Sequence, residues 1–290
     1  MAAFLRIDGP WTDAIARHAT AVQAARHLGD RPGVANALTD LGIMQHHTGD
    51  YPGAAQALEE ALGIFRDLGD RLGQASALTD LAVARHHTGD NLGAARAQAE
   101  ALGLYRGLGD WLGQACALTN LGAVRRLTGD YQGAAQALEE GLGISRDLGS
   151  RRGQANALSD LGAVRRLTGD YQGAAQALEE ALGLYRDLGD RGGAVAGLNE
   201  AGSLHRVQGD LPAAGACHRQ ALHLAREIGS SWNEAQALAG LSRCALAAGR
   251  TADAVAGLRR AREIFERISA GEAAAVAAEL DGLTGAGPTA

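Results

Sequence analysis

The chain is written in a repeating unit of forty residues, and this period constrains its fold more than any single residue does. Residues 121–140 read LGAVRRLTGDYQGAAQALEE, and residues 161–180 repeat this stretch without a change. Looser copies begin at Leu41, Leu81, Ala201 and Leu241. A fixed period of this length is typical of a solenoid of stacked helical units, each of which contacts only its neighbours.

Each unit is predicted to be an antiparallel helical hairpin. In the unit from Arg151 to Asp190, apolar residues at three- and four-residue spacings predict a helix A over 154–167 and a helix B over 172–188. A Gly-Asp pair follows each helix. The glycine can close one helix in the left-handed conformation, and the aspartate can cap the next. Such a hairpin buries its apolar face only by stacking on its neighbours.

The repeat also sets the predicted domain boundaries. Residues 1–30 are a partial N-terminal repeat, in which 11–28 form a helix B and 2–7 are the stub of its helix A. Residues 31–270 hold six tandem units, residues 271–283 a C-terminal capping helix and residues 284–290 a disordered tail. Because the chain opens part-way through a repeat, we expect it to be a fragment of a longer protein.

Four glycines recur at one position inside helix B, where each costs about 1 kcal/mol of helix propensity. They are Gly63, Gly103, Gly143 and Gly183. Two interpretations remain open. The glycines allow close packing of neighbouring helix backbones, or they are neutral residues copied by duplication.

Composition narrows the class of protein. The net charge is -6 and all 27 basic residues are arginine, so lysine chemistry is excluded and a general affinity for nucleic acid is disfavoured. No apolar run reaches membrane-spanning length and no signal-peptide pattern opens the chain, so we expect a cytoplasmic protein without membrane contact. Cys116, Cys217 and Cys244 lack metal-type spacing and are predicted to be buried structural thiols.

The residues within each unit resemble the tetratricopeptide repeat family. Leu161-Gly162 stands in mid-helix A, Gly169-Asp170-Tyr171 at the turn, and Ala174 and Ala181 along helix B. The forty-residue period is similar to the longer subtype found in kinesin light chains and cell-polarity adaptors. The LGDR joints also resemble repeat arrays at the C-terminal end of large actinobacterial regulators that carry a nucleotide-binding switch domain.

This resemblance implies an all-α fold, a right-handed superhelical solenoid of antiparallel helix pairs. Helix A would line the concave face and helix B the convex face, with a peptide or partner helix bound in the groove. We therefore expect a non-enzymatic protein- or peptide-binding scaffold or sensor within a larger signalling or transcriptional regulator. Chaperone-binding members of the family hold a terminal carboxylate with basic residues at two columns of helix A. Here those columns begin with Thr39 and Ile43, so we do not expect a carboxylate site of that type.

One column of helix A is predicted to face the groove: His46, His86, Arg126, Arg166 and Arg206. Its polar neighbours complete the candidate peptide-binding set: Asn36, Thr39, Thr79, Thr119, Asn120, Asn156, Ser159 and Asn199. A row of guanidinium groups suits an acidic peptide, because each can bind a carboxylate through two parallel hydrogen bonds. In the alternative interpretation the arginines pair with an acidic column of the chain itself, made of Asp40, Asp80, Asp160 and Glu200.

No pattern in the sequence supports catalysis. Serines lack a nucleophile motif, and the glycines read as helix stops, with no phosphate loop among them. A metal bridging His46 and His86 is conceivable, but no carboxylate or cysteine stands at ligand spacing. We therefore expect solvated or groove-lining histidines, and neither metal nor cofactor.

Two other functions compete with peptide binding. Exposed apolar ends at Phe4, Leu5 and the C-terminal helix could stack solenoids into a homo-oligomer. The arginine column could instead bind nucleic acid, in which case the affinity would fall steeply with salt.

Overall fold

The computed structural model describes residues 10–285, which form fourteen α-helices and contain no β-strand. The helices are α1 (Pro10–Leu28), α2 (Arg31–Thr48), α3 (Tyr51–Leu68), α4 (Arg71–His87), α5 (Asn91–Leu108), α6 (Trp111–Leu127), α7 (Tyr131–Asp147), α8 (Arg151–Thr168), α9 (Tyr171–Leu188), α10 (Arg191–Val207), α11 (Leu211–Glu227), α12 (Ser231–Ala247), α13 (Thr251–Arg267) and α14 (Glu272–Thr284). Even-numbered helices from α2 to α12 are the predicted helices A, and odd-numbered helices are the helices B. The predicted stub at 2–7 and residues 286–290 of the predicted tail lie outside the described residues.

Glycine and aspartate end and begin the helices as predicted. Gly169 closes α8 with a φ of 88°, a conformation that costs glycine little. Asp170 then accepts a hydrogen bond of 2.9 Å from the backbone N–H of Gly173 in α9. Helix α8 begins at Arg151, three residues before the predicted start, because Ser150 caps it and its first turn carries no apolar periodicity.

The chain divides into two compact units between Ala117 and Leu118. The first unit holds α1 to α5 and the start of α6, and the second holds the rest of α6 and α7 to α14. Consecutive helices from α1 to α5, and from α7 to α14, pack against each other across short connections and therefore run antiparallel. Helix α2 also packs on α4, and α10 packs on both α8 and α12. Each unit is thus a stack of helical hairpins, which confirms the predicted all-α, tetratricopeptide-like solenoid.

A small recess in helix A receives a leucine from helix B. A Cβ atom at Gly162 of α8 would lie 2.6 Å from Cγ of Leu178 in α9, which is 2% exposed. Gly122 and Leu138 make the same arrangement one repeat earlier, at 2.5 Å. The Leu-Gly pair that recurs along helix A therefore allows the close approach of the two helices of one hairpin.

The glycines inside helix B have no such role. Around Gly63, Gly103, Gly143 and Gly183 no other atom lies within 4 Å of an added Cβ. The interpretation that these glycines permit close backbone packing is therefore wrong. The remaining interpretation is that duplication copied a neutral residue.

Arginines late in helix A contact the next helix of the same hairpin. Arg165 Nη1 donates to the backbone carbonyl of Gly173 at 3.3 Å, and Arg125 Nη1 donates to that of Gly133 at 3.1 Å. The guanidinium thus ties the end of helix A to the first turn of helix B. This contact fixes the hairpin angle without an aromatic core residue.

The three cysteines lie in different environments. Cys244 is buried, Cys217 is half-buried and Cys116 is exposed. The prediction of a buried thiol is therefore wrong for Cys116, because its position on α6 lies on the outer side of the helix.

Candidate functional site

All the predicted binding residues lie on even-numbered helices, but they differ in how far they reach solvent. Asn36 and Asn156 are exposed. Thr79, Thr119 and Ser159 are buried. The remaining residues are half-buried: Thr39, His46, His86, Asn120, Arg126, Arg166, Asn199 and Arg206.

The hydroxyl column points into the hairpins. Thr79 Oγ1 donates to the carbonyl of Ala75 at 2.9 Å and lies 3.5 Å from the hydroxyl of Tyr105 on α5. In the second unit Tyr185 of α9 donates its hydroxyl to Asn156 Oδ1 at 2.9 Å, and burial raises the pKa of the Tyr185 phenol. Sequence reasoning missed these tyrosines, although their recurrence at the same position of helix B, two repeats apart, was visible.

Arg166 is paired within the second unit. Its Nη2 donates to Glu200 Oε2 of α10 at 3.0 Å, and the two side chains are only 13% and 25% exposed. Its Nε is buried and has no hydrogen-bond partner among the described residues. For this arginine the alternative interpretation, pairing with the acidic column, is confirmed.

Arg126 stands close enough to Asp160 for its charge to act on that carboxyl. Burial raises the pKa of Asp160 to about 6, while Arg126 opposes the rise and Glu200 adds to it. The Arg126 Nε is buried and, within residues 10–285, has no hydrogen-bond partner. The charge of Arg126 on α6 therefore acts on Asp160 of α8, although no hydrogen bond or ion pair between them is found among the described residues.

Arg206 continues the column on α10 without an acid. Among the described residues it makes neither a hydrogen bond nor an ion pair, although its charge lowers the pKa of His218. A half-buried guanidinium without a counter-charge is unfavourable, because part of its hydration is lost and nothing replaces it. Unlike Arg166, this residue has no ion-pair partner among the described residues.

The histidines of the first unit form an aromatic cluster. His46 lies 5.0 Å from His87, measured between ring centroids, and Tyr51 stacks on His87 at 4.5 Å. Burial, followed by the nearby His47 and His86, lowers the pKa of His46 to about 4, and burial lowers that of His87 well below its usual value. His46 and His87 are therefore not fully solvated, and the alternative expectation, that these histidines line the groove, stays a prediction.

The ring of His46 lies against that of His87, and His86 makes a further contact at the start of α5. His86 Nδ1 lies 3.1 Å from Asn91 Oδ1, at the start of α5. Within the described part of the chain, no group of three or more His, Cys, Asp or Glu side chains is placed to hold a metal ion. Sequence spacing could not distinguish the two histidines, because adjacent helix residues differ by only about 100° in direction.

Two shallow clefts in the first unit lie away from this column. One, of about 240 Å³, is lined by Arg26, Arg31 and Glu60, among others, and the second, of about 210 Å³, by Arg66, Arg85 and Glu100, among others. Ion pairs between repeats line both clefts. Both are smaller than the usual pocket for a small-molecule ligand, which has about 300–1,000 Å³.

The repeat also matches known sequences. The profile described as tetratricopeptide repeat matches residues 1–67, 73–147 and 194–267, and a second profile of the same description matches 157–192. The chain belongs to the tetratricopeptide repeat family. No curated protein matches it as a full sequence.

Solved structures share the fold of this tetratricopeptide repeat protein. Rap protein complexed with Competence and Sporulation Factor has a TM-score of 0.66 at 15% identity, covering 88% of this chain and 75% of that one. Aspartyl phosphate phosphatase F from Bacillus subtilis has a TM-score of 0.59 at 11% identity, covering 90% and 72%. The apo form of RapI has a TM-score of 0.59 at 14% identity, covering 87% and 99%. At these identities the likeness is one of fold alone.

None of the helices in the described residues combines the length and the apolar character that crossing a membrane requires.

Proposed function

We propose that this tetratricopeptide repeat protein is a non-enzymatic scaffold or sensor that binds a protein or peptide segment along its even-numbered helices. The observation that carries the proposal is the column Arg126, Arg166 and Arg206, half-buried on α6, α8 and α10 of the second unit. In this family the corresponding face is the concave groove. The proposed context is a larger signalling or transcriptional regulator in the cytoplasm.

The chemistry of the column favours an acidic ligand. A guanidinium binds a carboxylate through two parallel hydrogen bonds, and each charge-assisted contact contributes about 1.5–3 kcal/mol when it is shielded from water. Arg126 and Arg166 already share acids with the protein, so a ligand carboxylate would compete with Asp160 and Glu200. The exposed Asn156 lies on the same helix as Arg166 and offers amide contacts to a peptide backbone.

The buried hydroxyls take a supporting part in this proposal. Thr79 and Ser159 bind groups inside their own hairpins and hold the helices that present the arginines. The predicted contact set is therefore narrowed to the exposed and half-buried residues of the even-numbered helices. The histidines His46 and His86 sit on the first unit and would contribute packing at neutral pH.

The proposal is tested by comparing two triple variants as baits for proteins of the source organism. One carries Arg126→Ala, Arg166→Ala and Arg206→Ala on even-numbered helices. The matched control carries Arg146→Ala, Arg186→Ala and Arg226→Ala, which removes the same charge from odd-numbered helices. We expect a protein that binds the wild type and the control to be lost with the first variant, at equal helicity by circular dichroism. Equal capture by all three baits would refute binding through the column.

Self-assembly is the second candidate function. Large apolar side chains are exposed in the first turns of α4 and α6, with Leu72 at 53%, Trp111 at 59% and Leu112 at 61%. Phe4 and Leu5, on which the end-to-end arrangement was predicted, lie outside the described residues. Light scattering over a concentration series tests this function. It is supported if the mass of the wild-type protein rises with concentration while that of the Leu72→Gln, Leu112→Gln double variant stays at one protomer.

A further inference from the structure

The arginine column of the second unit follows a rule of spacing. Arg166 reaches Glu200, which lies thirty-four residues later and on the next even-numbered helix. The charge of Arg126 acts on Asp160 at the same separation. Helices α8 and α10 thus each carry an acid thirty-four residues after the arginine of the even-numbered helix before them.

The rule fails at Arg206, because the residue thirty-four positions later is Gly240. The ring of His218 on α11 fills the space where a side chain at position 240 would begin. A Cβ atom at Gly240 would lie 2.3 Å from Cε1 of His218, and one at Gly202 would lie 2.7 Å from its Nε2. The equivalent odd-numbered helices carry leucine there, as at Leu178. The imidazole thus occupies the place from which an acid would have been presented.

Arg206 has no ion-pair partner among the described residues, and two acids of α10 and α14 are paired with other arginines. Glu200 is paired with Arg166 at 3.0 Å, and Glu279 is held by two nitrogens of Arg243. His218 is 2% exposed, and its Nδ1 lies 3.1 Å from Asn199 Oδ1.

The other ring nitrogen of His218, Nε2, is buried without a hydrogen-bond partner in the described part of the chain. Burial, followed by the charge of Arg206, lowers the pKa of His218 to about 4, so the ring is neutral at pH 7. The neutral imidazole beside Arg206 therefore supplies no counter-charge to its guanidinium.

We propose that Arg206 is the specificity-determining anchor of the column and that a carboxylate of the bound peptide takes the place of the acid missing at Gly240. This inference rests on the proposed function, because it assigns a fixed register to the same ligand. Arg126 and Arg166 bring their own acids and tolerate neutral residues opposite them. The carboxylate comes from an aspartate or glutamate side chain or from the peptide's C-terminus.

The test selects ligands for the full chain from a displayed library of short random peptides. We expect the selected peptides to share one acidic position, and Arg206→Gln to weaken the best of them by about 10- to 100-fold. Arg126→Gln, in the same column, should weaken it less than Arg206→Gln does, and the exposed Arg186→Gln on α9 is the control outside the column and should leave the affinity within about twofold. Synthetic peptides with that acid changed to its amide, or with an amidated C-terminus, identify which carboxylate is used.

A second pair of variants restores the missing acid. His218→Leu with Gly240→Glu removes the ring and supplies an internal partner for Arg206, whereas His218→Leu alone removes only the ring. We expect the double variant to lose the preference for the acidic peptide and the single variant to keep it. The single and double variants are compared only if the thermal unfolding of both is cooperative. If either fails to fold, Arg206→Gln alone tests the role of Arg206.

The outcomes separate the two proposals. Selected peptides without a shared acidic position, or equal binding by wild type and Arg206→Gln, would overturn the role of Arg206 and leave peptide binding intact. A selection that yields no peptide bound on the even-numbered helices would overturn both.

Discussion

The guanidinium of Arg166 lies 3.0 Å from the carboxylate of Glu200, thirty-four residues further along the chain. The same separation joins Arg146 to Glu180 at 3.5 Å on the odd-numbered helices α7 and α9. The two pairs differ in their exposure: the side chains of the first are 13% and 25% exposed, and those of the second 53% and 51%. Among the described residues this separation thus gives a row of exposed ion pairs on odd-numbered helices and, on even-numbered helices, one pair that is better shielded from water.

Glu200→Gln is expected to destabilise the protein while making Arg166 available to a ligand. The substitution leaves a largely buried guanidinium with a neutral partner, which we expect to cost about 1–3 kcal/mol of unfolding free energy. Urea unfolding measures this loss. Binding of an acidic peptide should become tighter, because its carboxylate no longer competes with Glu200.

Glu180→Gln is the matched control for this prediction. Its partner Arg146 is about half exposed, so the change in unfolding free energy should stay within about 0.5 kcal/mol. Equal losses of unfolding free energy in Glu200→Gln and Glu180→Gln would show that burial does not distinguish the two ion pairs.

Replacing the glycines inside helix B should stabilise the protein. Gly143→Ala and Gly183→Ala place a methyl group where no other atom lies within 4 Å, so each should add about 1 kcal/mol of helix propensity. Gly162→Ala is the opposite case, because its Cβ would lie 2.6 Å from Leu178. Urea unfolding should show the first two variants more stable than wild type and the third less stable. A loss of stability in Gly183→Ala would contradict the structural assignment.

The local signals of this sequence were sufficient to predict the hairpins. Gly169 and Asp170 act within one turn, so the end of α8 and the start of α9 follow from a few adjacent residues. The apolar spacing along each helix likewise identifies its buried side. The family and the all-α solenoid could be predicted because the same signals recur in every repeat.

The candidate site was harder to predict because it depends on helix rotation and on contacts between repeats. Ser159 is buried, whereas Asn156, three residues earlier on the same helix, is exposed. A column read from sequence does not give this rotation, which packing against α9 decides. Similarly, the contact of His46 with His87 joins two repeats and follows no spacing within either.

The buried histidines predict a loss of stability in acid. His46 has a folded pKa of about 4, below the ordinary value of 6.5, so below pH 6.5 the unfolded chain binds more protons than the folded protein. The contribution of His46 to the free energy of unfolding is fully present above pH 6.5, and it falls by about 2 kcal/mol between pH 6.5 and pH 5. The lowered pKa of His87 likewise reduces stability in acid. Burial raises the pKa of Asp80 to about 6, so this carboxyl contributes stability to the folded protein as the pH falls through 6.

His46→Gln isolates this contribution. The variant should lose about 2 kcal/mol less than wild type when urea unfolding is compared at pH 7 and pH 5. His27→Gln, which changes an exposed imidazole on α1, should lose as much as wild type. If His46→Gln and wild type show the same difference between the two pH values, the buried cluster does not control the acid response.

The inward tyrosine should affect stability without affecting ligand binding. Tyr185→Phe removes the hydroxyl that donates to Asn156 at 2.9 Å, and we expect a loss of about 1 kcal/mol in urea unfolding. A peptide selected by the wild-type protein should bind this variant within about twofold, since the hydroxyl lies inside the hairpin. Arg206→Gln should behave in the opposite way, with weaker binding and unchanged stability. A marked loss of binding in Tyr185→Phe would place the hydroxyl column at the ligand and contradict its assignment to the interior.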